Sequence, residues 1–106
     1  MADRFIFPKG FLMIPREIAI NTDLSNSAKI IFAMILDSTT RDLVCTATDG
    51  ELADFAKTSI STVKRAILAL KNCGYIKSET RRDKFGVTNR YIYLLINENG
   101  NRTHWR

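Results

Sequence analysis

Histidine occurs once in this chain of 106 residues, as His104 near the carboxyl end, and that scarcity removes most metal and acid–base chemistry from consideration. No Gly-rich stretch closes on a Lys, so the backbone cradle that holds nucleotide phosphates is missing as well. Cysteine is limited to Cys45 and Cys73, 28 positions apart, with no second Cys or His at ligand spacing near either. Reduced structural thiols are the expectation. No apolar run approaches the roughly 18 residues that span a bilayer. The amino end lacks the basic-then-apolar order of a secretory signal, so a cytoplasmic protein without a membrane partner is expected. Asp49, Glu51 and Asp54 lie close together, but at the start of a helix, where carboxylates complement the helix dipole. Neither a nucleophile with a positioned base nor a carboxylate set for a metal emerges, and the chain reads as a non-enzyme with no cofactor and no metal.

What is present is positive charge in one place. The formal net charge is +5, yet residues 1–56 carry 5 Lys or Arg against 8 Asp or Glu, whereas residues 57–106 carry 11 against 3. Segregation of this kind suits a one-sided phosphate-binding surface, because each cation set against a phosphate releases condensed counterions. A solvated basic face without a partner is the plain alternative. With 45% hydrophobic and 25% charged residues, the chain is long enough for one core and too short for two.

The opening from Phe5 to Pro15 is apolar but broken by Pro8, Gly10 and Pro15, which predicts an extended arm packed on the domain. Pro15 suits the first position of a short helix through Ile20, so residues 1–20 form arm and helix. Ser25 is a suitable N-cap for a helix from Asn26 to Ser38. Ala28, Ile31, Phe32, Ile35 and Leu36 recur there at helical spacing, and Ile30 and Met34 widen the stripe. After a turn at Ser38 to Asp42, Leu43 to Thr46 suggests a small strand. Thr48 and Glu51 satisfy the capping-box spacing, starting a brief helix with Leu52, Phe55 and Ala56 inward and its end near Lys57. Ser59 caps the next helix, Ile60 to Asn72, with an inward face of Ile60, Val63, Ile67 and Leu70, and Gly74 closes it. Tyr75 to Arg82 and Asn89 to Ile96 favour strands around a hairpin loop at Asp83-Lys84-Phe85-Gly86, with Ile92, Leu94 and Ile96 alternating against Tyr91, Tyr93 and Leu95. Phe11, Phe32, Phe55, Tyr91 and Tyr93 fall at core or sheet-face spacings, and Trp105 sits in a polar, frayed tail over residues 97–106. The order is helix, short strand, helix, helix, hairpin, an α+β domain.

The segment Glu51-Leu52-Ala53 through Ser59, Thr62-Val63 and Leu70 to Ile76 resembles the winged helix-turn-helix superfamily over roughly residues 20–96. Ala53 and Val63 fall ten apart, where that family places a small and a β-branched residue so that its two helices cross closely. The arm ending Ile14-Pro15-Arg16-Glu17-Ile18, then Leu24-Ser25, Ala28-Lys29-Ile30-Ile31-Phe32 and the closing Asn89-Arg90-Tyr91 is similar to the amino-terminal domains of plasmid and phage replication initiators and related DNA-processing proteins. One departure stands out. The turn position that usually holds Gly is Lys57, followed by Thr58 where Val is common, so Lys57 must accept positive φ or the turn must differ.

The resemblance implies a three-helix core with a small antiparallel sheet and a hairpin wing, with residues 21–96 as the DNA-binding domain. It implies two surfaces for double-stranded DNA. On the second helix of the motif Ser59, Ser61, Thr62, Lys64, Arg65 and Leu68 face a major groove, with Arg65 suited to guanine O6 and N7; Ser59 and the helix start can hold a phosphate. Capping alone accounts equally for Ser59, and a solvated face for Lys64 and Arg65. On the wing, Lys77, Arg81, Arg82, Lys84 and Arg90 suit a minor groove or the flanking backbone, though Arg81 and Arg82 also suit simple protection of a strand edge. Three functions remain open. They are origin binding in plasmid replication or conjugative transfer, as a homodimer on repeated sites and in company with replication or relaxosome proteins; transcription regulation at a promoter; and protein interaction through the basic wing.

Overall fold

The described residues of the computed structural model, 12–39 and 44–96, form four helices and a three-stranded antiparallel sheet, an α+β arrangement. The arm from Phe5 to Phe11, the turn residues 40–43 and the tail from Asn97, with His104 and Trp105, lie outside the described residues. Helix α1 spans Arg16–Ala19. Pro15 stands at its N-cap, one position earlier than expected, with φ −56° and ψ 144°, and its carbonyl accepts from the N–H groups of Ile18 and Ala19 at 3.0 Å each. A residue without a donor loses nothing there.

Helix α2, Asn26–Asp37, begins as the sequence predicts, with Ser25 Oγ accepting from the Ala28 N–H at 3.0 Å. Ala28, Ile31, Phe32, Ala33 and Ile35 are buried, and this stripe is the centre of the core. The stripe is narrower than expected: Met34 and Leu36 are half-buried and Ile30 is exposed. Strand β1 is short, Val44–Cys45. Helix α3, Asp49–Ala56, has both bonds of the capping box, Glu51 N–H to Thr48 Oγ1 at 3.1 Å and Thr48 N–H to Glu51 Oε1 at 2.9 Å. Leu52 and Ala53 point inward, but Phe55, expected in the core, is 37% exposed. A helix of eight residues lays a single turn on the core, and Leu52 and Ala53 fill that contact.

The chain leaves α3 through Lys57, whose φ of 55° and ψ of 48° put it in the left-handed region. The Thr58 N–H then reaches the Ala53 carbonyl at 2.9 Å, satisfying a helix end that glycine would normally close. Holding a residue with a Cβ there costs about 1 kcal/mol. Helix α4, Ile60–Asn72, starts at Ser59, whose Oγ accepts from the Thr62 N–H at 3.1 Å. Val63, Ala66, Ile67 and Leu70 are buried, as is Ala53 on α3. Ile60 departs from expectation at 48% exposed. As the first helical residue, its side chain leans back over the turn rather than towards the core. Gly74, with φ 80°, closes α4, and the Tyr75 N–H donates to the Leu70 carbonyl at 3.0 Å.

Strands β2, Ile76–Arg82, and β3, Thr88–Leu94, pair from Ile76 with Leu94 to Arg82 with Thr88, and β1 adds to the far side of β3 through Cys45 and Ile92. Ile92, Leu94 and Ile96 are fully buried, as their alternation predicts. Each such side chain contributes about 1.5–3 kcal/mol relative to exposure. Of the described aromatic side chains, Phe32, Tyr75 and Tyr93 are buried and Tyr91 is half-buried, and Phe32 meets Tyr75 edge to face at 6.5 Å between centroids. The Tyr75 hydroxyl accepts from Asn21 Nδ2 at 2.8 Å. Among the described residues no helix is long and apolar enough to cross a membrane, and no group of metal-ligating side chains forms.

Candidate nucleic-acid interface

Helix α4 buries one stripe and leaves Ser61, Lys64, Arg65, Leu68 and Lys71 exposed on the other. The start of this outer face is ordered by side chains as well as backbone. Ser59 Oγ and Thr62 Oγ1 lie 2.9 Å apart, and Arg65 Nη2 donates to Thr62 Oγ1 at 3.4 Å. Ser59 and Thr62, both expected to meet a ligand, are thus first the cap and its extension. Lys64 and Arg65 form no ion pair with any described residue.

Lys71 escaped the sequence reading, although it lies seven residues from Lys64, two turns along one helix face. In the fold Lys64, Leu68 and Lys71 border a hollow of about 190 Å³ whose other wall is Asp49 and Arg90. The same Asp49 and Arg90 border a second hollow of about 290 Å³, between the start of α3 and the hairpin residues Thr80, Thr88 and Asn89. The two hollows share Asp49 and Arg90 and so lie on either side of that pair, one against the outer stripe of α4 and one under the β2–β3 hairpin, which gives this face of the protein a grooved surface.

Arg90 is the hinge-pin of that groove rather than one of its open cations. Its Nη1 donates to Asp49 Oδ1 at 2.5 Å and its Nη2 to the Ala47 carbonyl at 2.9 Å, tying β3 to the start of α3. Both side chains are about three-quarters buried, and the Arg90 Nε–H is buried without a partner among the described residues. The sequence showed Arg90 as a strand cation; its partner lies 41 positions away and only the fold brings it close.

The remaining hairpin cations divide by strand parity. Ile76, Ser78, Thr80 and Arg82 alternate to the face of the sheet that carries the core and then the groove, whereas Lys77, Glu79 and Arg81 alternate to the opposite face. On that opposite face Arg81 is fully engaged. Its Nη2 donates to Glu79 Oε1 at 3.0 Å and to the Tyr93 hydroxyl at 2.8 Å, and its guanidinium lies 4.7 Å from the centre of the Tyr91 ring. Lys77 Nζ sits 5.5 Å over the Tyr93 ring, and the Tyr93 hydroxyl donates to Glu79 Oε1 at 2.8 Å. These bonds from Tyr93 and Arg81 hold the Glu79 carboxyl below the usual glutamate range, and the bond to Glu79 pushes the Tyr93 phenol up. Arg82 and Lys84 have no described ion-pair partner.

The expected group of five hairpin cations is thus three groups: Lys77 and Arg81 over the outer tyrosines, Arg90 at the junction with α3, and Arg82 with Lys84 at the far end. That end is a five-residue loop with a defined shape. The Asp83 N–H donates to the Val87 carbonyl at 2.9 Å, and Asp83 Oδ1 accepts from the N–H groups of Phe85 and Val87 at 2.8 and 2.9 Å. Gly86 supplies the positive φ, 83°, that lets the loop turn back. Searches of family models, curated proteins and solved structures return no match to this chain.

Proposed function

We propose that this protein is a winged helix-turn-helix module that binds double-stranded DNA, with α4 in the major groove and the β2–β3 hairpin as the wing. One observation carries the reading. Lys64 and Lys71 on α4 border one hollow, the hairpin residues Thr80 and Thr88 border the next, the two hollows share Asp49 and Arg90, and Arg82 alternates to the same side of the hairpin as Thr80. Two cationic elements on one face can meet two neighbouring stretches of one phosphate backbone. The tethered Arg65 has the planar fork needed for guanine O6 and N7, and Ser61 and Lys64 complete the set that reads or grips the major groove. The setting that the sequence resemblance favours is a plasmid or phage replication origin or a transfer origin, where the module serves as initiator domain or accessory factor.

Fluorescence anisotropy with the full chain tests this, using random duplex and duplex from the gene's own flanks over a range of salt. Replacing Lys64 and Arg65 by Ala is expected to cost about 1–3 kcal/mol on the preferred duplex and much less on random duplex. Equal losses on both would remove base reading from α4, and an unchanged affinity on both would remove α4 from the interface.

A further inference from the structure

Phe85 is 80% exposed and Val87 is 53% exposed, which places the largest open aromatic surface among the described residues at the outermost turn of the hairpin. The fold does not need either side chain. The loop is shaped by the Asp83 carboxylate and by Gly86, and the one described contact of the Phe85 ring is Lys84 Nζ, 5.4 Å from its centre. Arg82 and Lys84 precede the ring by three positions and one, and the only acidic group in the loop, Asp83, already accepts two backbone N–H bonds. The tip is therefore an apolar point with one cation over its ring and a second at the base of the loop, on a turn fixed by hydrogen bonds.

We infer that Phe85 is a wedge that enters a base step of the minor groove beside the groove occupied by α4, while Arg82 and Lys84 hold the phosphates on either side. The inference rests on the proposed DNA binding and adds a mechanical consequence to it. An apolar side chain pushed between base pairs unstacks them and kinks the duplex by about 20–90° towards the major groove. Pyrimidine–purine steps open most readily, so the wedge selects for TA or CA steps at a fixed distance from the α4 site, without any hydrogen bond to a base. The charge of the tip matches this occupant: two cations and an internally satisfied carboxylate complement a phosphate-lined slot.

The test compares the full chain with F85A, F85L and R82A on a duplex carrying donor and acceptor dyes at its ends and TA steps along its length. Anisotropy gives affinity, energy transfer gives bending, and thermal melting of each variant checks the fold. F85A is expected to melt with the parent, to bind about tenfold more weakly, to lose the kink and to keep the parent's salt slope. F85L is expected to retain most of the kink, whereas R82A lowers the salt slope by about one. Parent-like binding and bending by F85A would overturn the wedge and leave the proposed DNA binding standing. A parent chain that ignores duplex would overturn both. A third arm uses vesicles of mixed anionic and zwitterionic lipid; a Phe85-dependent affinity seen only there would also overturn the wedge.

Discussion

Arg81 and Arg82 are neighbours in sequence, both exposed, and opposite in what the fold asks of them. Arg81 lies over the Tyr91 ring and bonds Glu79 and Tyr93, a closed set on the outer face of the sheet. Arg82, paired with Thr88 on the groove side, has no ion-pair partner among the described residues. The two faces of one hairpin thus separate cations that stiffen the protein from cations left for a polyanion. A charge count along the strand cannot make that distinction, because the side-chain period of two assigns adjacent residues to different surfaces.

The largest effect is expected at the junction that keeps both faces in place. Arg90→Ala removes its bonds to Asp49 and to the Ala47 carbonyl and strands a carboxylate about three-quarters buried on Asp49, which should lower the free energy of urea unfolding by about 1–3 kcal/mol, the partial exposure keeping it under the fully buried range. Arg90→Lys should recover little of it, because one ammonium cannot reproduce the fork. If neither variant moves the unfolding midpoint, Arg90 is a surface cation and the division described above loses its middle member.

Next in size, the pair Arg82→Ala and Lys84→Ala should weaken duplex binding about tenfold and reduce the salt slope by about two, with thermal stability unchanged. Arg81→Ala should do the reverse. Duplex affinity stays within about twofold of the parent, and stability falls by no more than the modest amount typical of an exposed ion pair. Equal losses from the two substitutions in an anisotropy titration would erase the contrast between the faces.

The smallest effect is in acid. Bonds from Tyr93 and Arg81 depress the Glu79 carboxyl relative to its ordinary value of 4.5. A depressed carboxyl stabilises the fold above its unfolded value, and that contribution is lost as the pH falls through the lower folded value. Parent and Glu79→Gln should therefore differ in melting temperature above the ordinary glutamate value and converge as the pH is lowered progressively beneath it, a change that differential scanning fluorimetry resolves. A constant gap from acid to neutral pH would show that Glu79 acts through packing alone.

Local chemistry was legible where it is decided within one turn of chain. The Thr48–Glu51 capping box, the Ser25 and Ser59 caps and the Gly74 helix end all depend on residues a few positions apart, and all form as read. Lys57 was legible as a conflict, and the fold resolves it by accepting the left-handed conformation. Where an apolar residue ends up was less readable. Phe55 follows Leu52 at core spacing and Ile60 precedes Val63 at the same spacing, but short helices and first turns offer too little contact to bury every apolar side chain on the nominal face. The partition of the cations was not readable at all. It requires the pairing of β2 with β3, set by a five-residue loop, and the meeting of Asp49 with Arg90 across 41 positions. Lys71 was within reach through its seven-residue offset from Lys64 and needed only the helix period.

The salt dependence of duplex binding by the intact chain bears most directly on the whole account. Lys64 and Lys71 border the α4 hollow, and Arg65, Arg82 and Lys84 are exposed with no ion-pair partner among the described residues, so log affinity against log salt should fall with a slope of about −3 to −5. A slope near zero, or no binding in dilute buffer, would contradict it.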